Sequence, residues 1–181
     1  MSVDQWLALD DEVSGELVDG ALEEEEVPSD AHELVVAWLI LTLGRWVLRR
    51  GGFVFSSERK LVVAPKRGRK PDISVHFDDT DGPPAIVIEV VTPTPRDTKC
   101  DRVDKPDDYA KLGVRFYWII DPSMRTFEIW ELGSRGRYER AVSAANGKLR
   151  VPGCPGLALD LDEAWAHLDR LARRRPAKRR H

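Results

Sequence analysis

A carboxylate in the middle of an apolar run constrains this chain more than any other feature. Glu89 stands inside Ala85-Ile86-Val87-Ile88-Glu89-Val90-Val91, and Asp72 follows Pro71 at the head of Ile73-Ser74-Val75. Both stretches read as strands, with only a short turn between them. A carboxylate buried without a partner is expensive enough to force protonation, so such a residue usually serves a cation or a proton. Two acids on adjacent strands can converge on one divalent ion, and their hard oxygens suit Mg²⁺ or Mn²⁺. The plainer alternative is that Asp72 caps a turn after Pro71 and Glu89 pairs with a nearby Lys or Arg.

The 181 residues are expected to form one domain over 1–170, followed by a basic, disordered tail over 171–181. With 42% apolar and 33% charged residues, the composition is that of a soluble globular protein. The longest apolar stretch, Leu34 to Leu41, is too short to span a bilayer. No export signal is evident, so the expected compartment is the cytoplasm, with no membrane partner. Cys100 and Cys154 have neither metal-ligand nor disulfide-framework spacing, which argues against zinc and redox chemistry.

The net charge of −3 conceals an asymmetry. No Lys or Arg precedes Arg45, whereas acids are frequent there, including Glu23 to Glu26. From Arg45 to Lys70 the chain is basic, with Glu58 the lone acid, and its end, Arg173 to His181, is basic again. A basic stretch beside an acidic metal site suits a polyanionic substrate. The alternative is a solvated face and a solubilising tail.

Ser2 to Leu9 reads as a short helix capped by Ser2. Residues 15–20 and 21–27 read as a hairpin turned at Asp19-Gly20. A long helix is predicted from Pro28-Ser29-Asp30 to about Arg50, with Asp30 and Glu33 at capping-box spacing and Gly51-Gly52 as its stop. Its broad apolar face implies burial on two sides, against a sheet and against a second copy in a homodimer. Strands are predicted at 53–55 and 59–64, then a basic loop over 65–70. After the two acid-bearing strands, Pro106 fits the first turn of a helix ending before Gly113. Residues 114–120 form a continuous apolar run and so a central strand. A meander over 126–151 and a closing helix over 162–174 complete an α/β architecture around a mixed sheet.

Pro71-Asp72, Val87-Ile88-Glu89-Val90-Val91-Thr92-Pro93, Asp101 to Lys105 with Tyr109, and Gly113 to Pro122 occur in that order. This ordered set resembles the Uma-two family of the PD-(D/E)XK nuclease superfamily. The likeness extends upstream through Glu16, Asp19-Gly20 and His32. It implies a restriction-endonuclease-like sandwich, a mixed central sheet flanked by helices. It also implies metal-assisted hydrolysis of phosphodiesters, with DNA as substrate. By that pattern Asp72 and Glu89 are metal ligands, with the Val90 carbonyl as a third.

The superfamily places a Lys two residues beyond the second acid, and here that residue is Val91. The Uma-two family is similar in having an apolar residue there and a Lys further along, which corresponds to Lys105, four positions before Tyr109. Lys105 is either the assisting lysine or a surface residue paired with Asp101 or Asp108. Lys99 is the rival lysine. His32 and Glu33 are accessory candidates, with a partly exposed helix start as the plainer role for His32. Tyr109 and Asp121 are read as structural. Two functions follow: a Mg²⁺- or Mn²⁺-dependent endonuclease, or a degenerate nuclease-like module that binds nucleic acid or protein without cleaving.

Overall fold

The computed structural model describes residues 1–10, 13–24, 27–77, 79–94 and 100–174. The chain opens with α1 (Val3–Leu7), held by a reciprocal capping box between Ser2 and Gln5. Strands β1 (Glu16–Val18) and β2 (Ala21–Glu23) follow. Asp19 and Gly20, with φ of 51° and 85°, make the turn between them, as the Asp-Gly pair predicts. Helix α2 (Asp30–Leu48) is capped by Ser29, whose Oγ accepts the His32 N–H at 3.2 Å. Ser29 therefore takes the role expected of Asp30, one residue later in sequence.

Strands β3 (Phe53–Ser56), β4 (Leu61–Ala64), β5 (Arg67–Arg69), β6 (Ile73–His76) and β7 (Ile86–Val90) come next. The basic segment expected to be a loop thus contains a strand. A β-carbon on Gly68 in β5 would lie 2.3 Å from the Trp6 ring, so only glycine lets α1 approach so closely. A π-helical turn (Cys100–Asp104) leads into α3 (Lys105–Leu112), which stops at Gly113 with φ 81°. Then follow β8 (Phe116–Asp121), β9 (Thr126–Leu132), β10 (Tyr138–Ala144), β11 (Lys148–Arg150), β12 (Ala158–Asp160) and α4 (Leu161–Arg174). Residues 171–174 of the expected tail are helical, and 175–181 lie outside the described residues.

The main sheet has the order β10-β9-β8-β7-β6-β3, antiparallel throughout except for the parallel pair β7–β8. As expected, the apolar strand β8 is central. A four-stranded sheet, β2-β1-β5-β4, and the pair β11–β12 complete the fold. Strand β11 pairs with β12 and so leaves the predicted meander. One face of the main sheet packs Ile73, Val75, Ile86, Ile88, Trp118 and Ile120 against α2 and α4. The other packs Val87, Val91, Tyr117 and Ile119 against Tyr109 of α3 and Leu61 of β4. The two-sided burial of α2 is met within the chain by the sheet and α4, while Leu41 and Leu48 stay 78% and 67% exposed. Helix α2 is the one described helix long and apolar enough to cross a membrane, and its inward residues belong to this core.

Candidate active site

The alternation of β7 explains how an acid enters an apolar strand. Ile86, Ile88 and Val90 face α2 and α4, so Glu89 joins Val87 and Val91 on the opposite face, beneath α3. Continuing the antiparallel register one step beyond Ile73↔Ile88 sets Asp72 across from Glu89, on the same face. Asp72 Oδ2 accepts the Val90 N–H at 2.7 Å, which ties the head of β6 to the end of β7. Asp72, Glu89 and Val90 line one cleft of about 530 Å³.

Helix α3 supplies the partners of Glu89. Lys105 Nζ lies 3.0 Å from Glu89 Oε2, and the Tyr109 hydroxyl donates to Oε1 at 2.5 Å. The two residues are one helical turn apart and so share a face. Lys105 stands first in α3, before Pro106, and still reaches Glu89, with its side chain only 12% exposed. It does pair with Asp101, at 3.0 Å, but in the interior of the cleft and not at the surface. Tyr109 touches the acid directly, beyond the packing role the sequence suggested.

Burial pushes the Glu89 carboxyl well above the usual carboxylate range; Lys105 pulls it back, while Asp101, Asp72 and Glu16 push it further up. Asp101 is raised for the same reasons, burial first and then neighbouring acids, against the pull of Lys105. Burial opposes the Lys105 ammonium, yet Glu16, Glu89 and Asp101 hold its pKa well above the ordinary value. Among the described residues, four carboxylates, Glu16, Asp72, Glu89 and Asp101, line the cleft beside the buried cations Lys105, Lys70 and Arg69, the last two of which are shared with Glu58 and Asp108. A site short of positive charge fits a divalent cation.

The donor set agrees with that charge. Among the described residues no three His, Cys, Asp or Glu side chains form a ready metal cage. Asp72 and Glu89 with a main-chain oxygen would instead leave several positions to water, as Mg²⁺ prefers. His32 and Glu33 diverge. His32 is buried with Nε2 3.2 Å from Asp72 Oδ2, whereas the Glu33 side chain is 63% exposed. Burial works against a charged His32 ring, but the hydrogen bond and charge of Asp72, with Glu33, lift its pKa above the ordinary value. The exposed helix-start role is therefore replaced by direct contact with Asp72. Lys99 lies outside the described residues.

The basic segment is used internally. Arg69 is 1% exposed; its Nη1 lies 2.6 Å from Glu16 Oε2 and its Nε 2.9 Å from Asp108 Oδ2. Arg67 bridges Asp19 and Asp108, and Lys70 Nζ lies 2.8 Å from Glu58. Arg67 and Arg69 tie the small sheet to α3 through Asp108, and Lys70 is paired with Glu58, so these cations do not form the open phosphate-binding face suggested by the sequence. The rim of the cleft is acidic instead, with Glu23, Glu24, Glu33, Glu58 and Asp104.

Residues 3–162 match the family Uma2, described as "Putative restriction endonuclease". The chain belongs to the Uma2 family. No curated protein matches the sequence. Among solved structures, the chain is similar to "a putative nuclease belonging to DUF820" from Anabaena variabilis, at 19% identity and a TM-score of 0.75. That likeness covers 93% of this chain and 99% of the other, and it supports the mixed-sheet, helix-flanked architecture. In this Uma2 chain, sequence reasoning missed Glu16, Arg69 and Asp101 as members of the site. Asp101 had a readable signal, since Asp101, Lys105 and Tyr109 recur every four residues along one helical path. Glu16 was named only within the upstream likeness, with no role attached, and Arg69 only as part of the basic segment, because their approach to α3 depends on how the small sheet docks.

Proposed function

We propose that this Uma2 chain is a divalent-metal-dependent endonuclease that hydrolyses phosphodiester bonds in DNA. The observation that carries the reading is the Lys105 ammonium, 3.0 Å from Glu89 in the cleft that Asp72 also lines. It supplies from α3 the lysine that Val91 omits from β7. Asp72, Glu89 and the Val90 carbonyl would hold Mg²⁺ or Mn²⁺, which when bound acidifies water and offsets charge on the phosphate. Lys105 contributes a fixed positive charge and a hydrogen-bond donor beside the attacking water. Tyr109 orients Glu89 through Oε1, and the Val90 N–H orients Asp72. His32 Nε2 approaches the same Asp72 oxygen, Oδ2, that accepts the Val90 N–H.

The test is cleavage of supercoiled plasmid and single-stranded DNA with Mg²⁺ and with Mn²⁺. Wild type is expected to nick DNA. Asp72→Asn and Glu89→Gln should each lose about 10³-fold or more, equal to about 4 kcal/mol of barrier. Cleavage that persists in both variants would overturn the assignment.

One observation favours a second reading, a nuclease-like module that binds without cleaving. Both oxygens of Glu89 already carry donors, and the basic segment offers few open cations to phosphate. Salt-sensitive nucleic-acid binding with no product in either metal would favour this reading over the first.

A further inference from the structure

Lys105 is surrounded by more acid than Glu89 alone provides. Its Nζ lies 3.0 Å from Glu89 Oε2, 3.0 Å from Asp101 Oδ1 and 3.9 Å from Glu16 Oε1. These carboxylates come from three separate elements, β7, the π-helical turn and β1. Two of these carboxylates, and the backbone of the third, are held by groups other than Lys105. Glu89 is held by Tyr109, and Glu16 by Arg69 and the Lys70 backbone N–H at 2.9 Å. The Asp101 backbone is pinned by the Tyr117 hydroxyl, which donates to its carbonyl at 2.6 Å. The turn itself is informative, because π-helical turns are uncommon and recur at functional sites. Here it sets Asp101 four residues before Lys105 with both side chains pointing into the cleft.

The metal-dependent reading creates a conflict at Glu89. A carboxylate that ligates a divalent ion loses most of its attraction for an ammonium, and the two cations repel each other at short range. If Glu89 were the sole anchor, Lys105 would swing away on its flexible four-carbon stem as the ion arrived. Asp101 and Glu16 offer the ammonium a resting place that does not depend on Glu89.

We infer that Asp101, backed by Glu16, is a positioning residue that keeps Lys105 in the cleft when Glu89 turns to the metal. This inference rests on the metal-dependent reading of the site. It assigns the π-helical turn a task, and it gives the buried Arg69–Glu16 pair a role beyond joining two neighbouring strands of the small sheet. Asp101 acts through Lys105 and needs no contact with substrate.

The test uses the full chain and reads Lys105 directly. Surface amines are reductively methylated, and modification at Lys105 is followed by mass spectrometry with and without Mn²⁺. Mn²⁺ binding is measured separately by calorimetry. Lys105 in wild type should stay protected in both conditions. In Asp101→Asn it should stay protected without metal, where Glu89 still holds it, and be modified at least ten times faster with Mn²⁺. Single-turnover cleavage by Asp101→Asn at saturating Mn²⁺ should fall about 10²-fold with KM unchanged, and Asp101→Glu should recover part of that loss. Glu16→Gln, which keeps the size of the side chain, should show the same pattern more weakly. Mn²⁺ binding without any change of Lys105 modification in Asp101→Asn would overturn the inference alone. So would recovery of Asp101→Asn cleavage by raised Mn²⁺, which would make Asp101 a ligand. Absence of Mn²⁺ binding to wild type would overturn the metal-dependent reading and this inference with it.

Discussion

On the side of the main sheet covered by α2 and α4, the interior is almost wholly hydrocarbon: Leu39, Leu43, Val47, Ile73, Ile88 and Trp118 are fully buried there. On the side covered by α3 and the small sheet, the same strands bury Glu89, Arg69, Asp108 and Asp101 among Tyr109 and Tyr117. Strand β7 contributes to both faces through simple alternation, so the two interiors are separated by the thickness of one sheet. Apolar burial drives folding on the first face. On the second, charges taken out of water must be matched one against another, and the match is incomplete around Glu89. The difference shows a division of labour: one face secures the fold so that the other can tolerate an unfavourable concentration of acid.

That division can be broken from either side. The largest loss of stability is expected from Arg69→Met. It removes one cation and leaves Glu16 and Asp108 buried, at about 3–5 kcal/mol by urea unfolding. A loss below about 1 kcal/mol would mean that the charged face is no part of the scaffold. Leu39→Ala opens a cavity on the opposite face and should cost about 2–5 kcal/mol. Its affinity for Mn²⁺, extrapolated to the folded protein, should match wild type; a large change would show that the two faces are coupled.

The acid excess predicts a specific pH dependence. Glu89 and Asp101 both have pKa values raised in the folded chain. Each therefore contributes stability that is complete below the ordinary carboxylate value, about pH 4, and is lost as pH rises through the raised value. Thermal unfolding of the metal-free protein should show Tm falling over that interval. Glu89→Gln should flatten the fall, and Mn²⁺ should raise Tm more at pH 8 than at pH 5. A Tm that climbs steadily with pH would contradict the charge imbalance. The smallest effect is expected at the rim of both faces. Ser29→Ala removes the cap of α2 and should cost about 1 kcal/mol, measured as a shift of the urea midpoint.

Much of the local framework of both faces was legible in sequence. The period of α2, the Asp19-Gly20 turn, the stop at Gly113 and the continuous run of β8 are local signals, and the structure contains each of them. The acid pair was legible for the same reason, since a lone Glu in an apolar strand contradicts its own surroundings. Residues 65–70 were misread because charge density resembles that of a solvated loop. Arg67 and Arg69 are in a strand because carboxylates distant in sequence, Asp19, Glu16 and Asp108, receive them. His32 was likewise read from its local position at a helix start, while its burial comes from Asp72, forty residues away in the chain.

The sequence by itself determined the alternation that turns Glu89 away from the apolar core and the four-residue spacing that aligns Asp101, Lys105 and Tyr109. Those are properties of single strands and helices, set by backbone geometry that neighbours in sequence share. Only the tertiary structure decided which cations the acids meet. Docking the small sheet against α3 brings Glu16 to Lys105 and Arg69 to Asp108, and those contacts follow from packing between elements far apart in the chain.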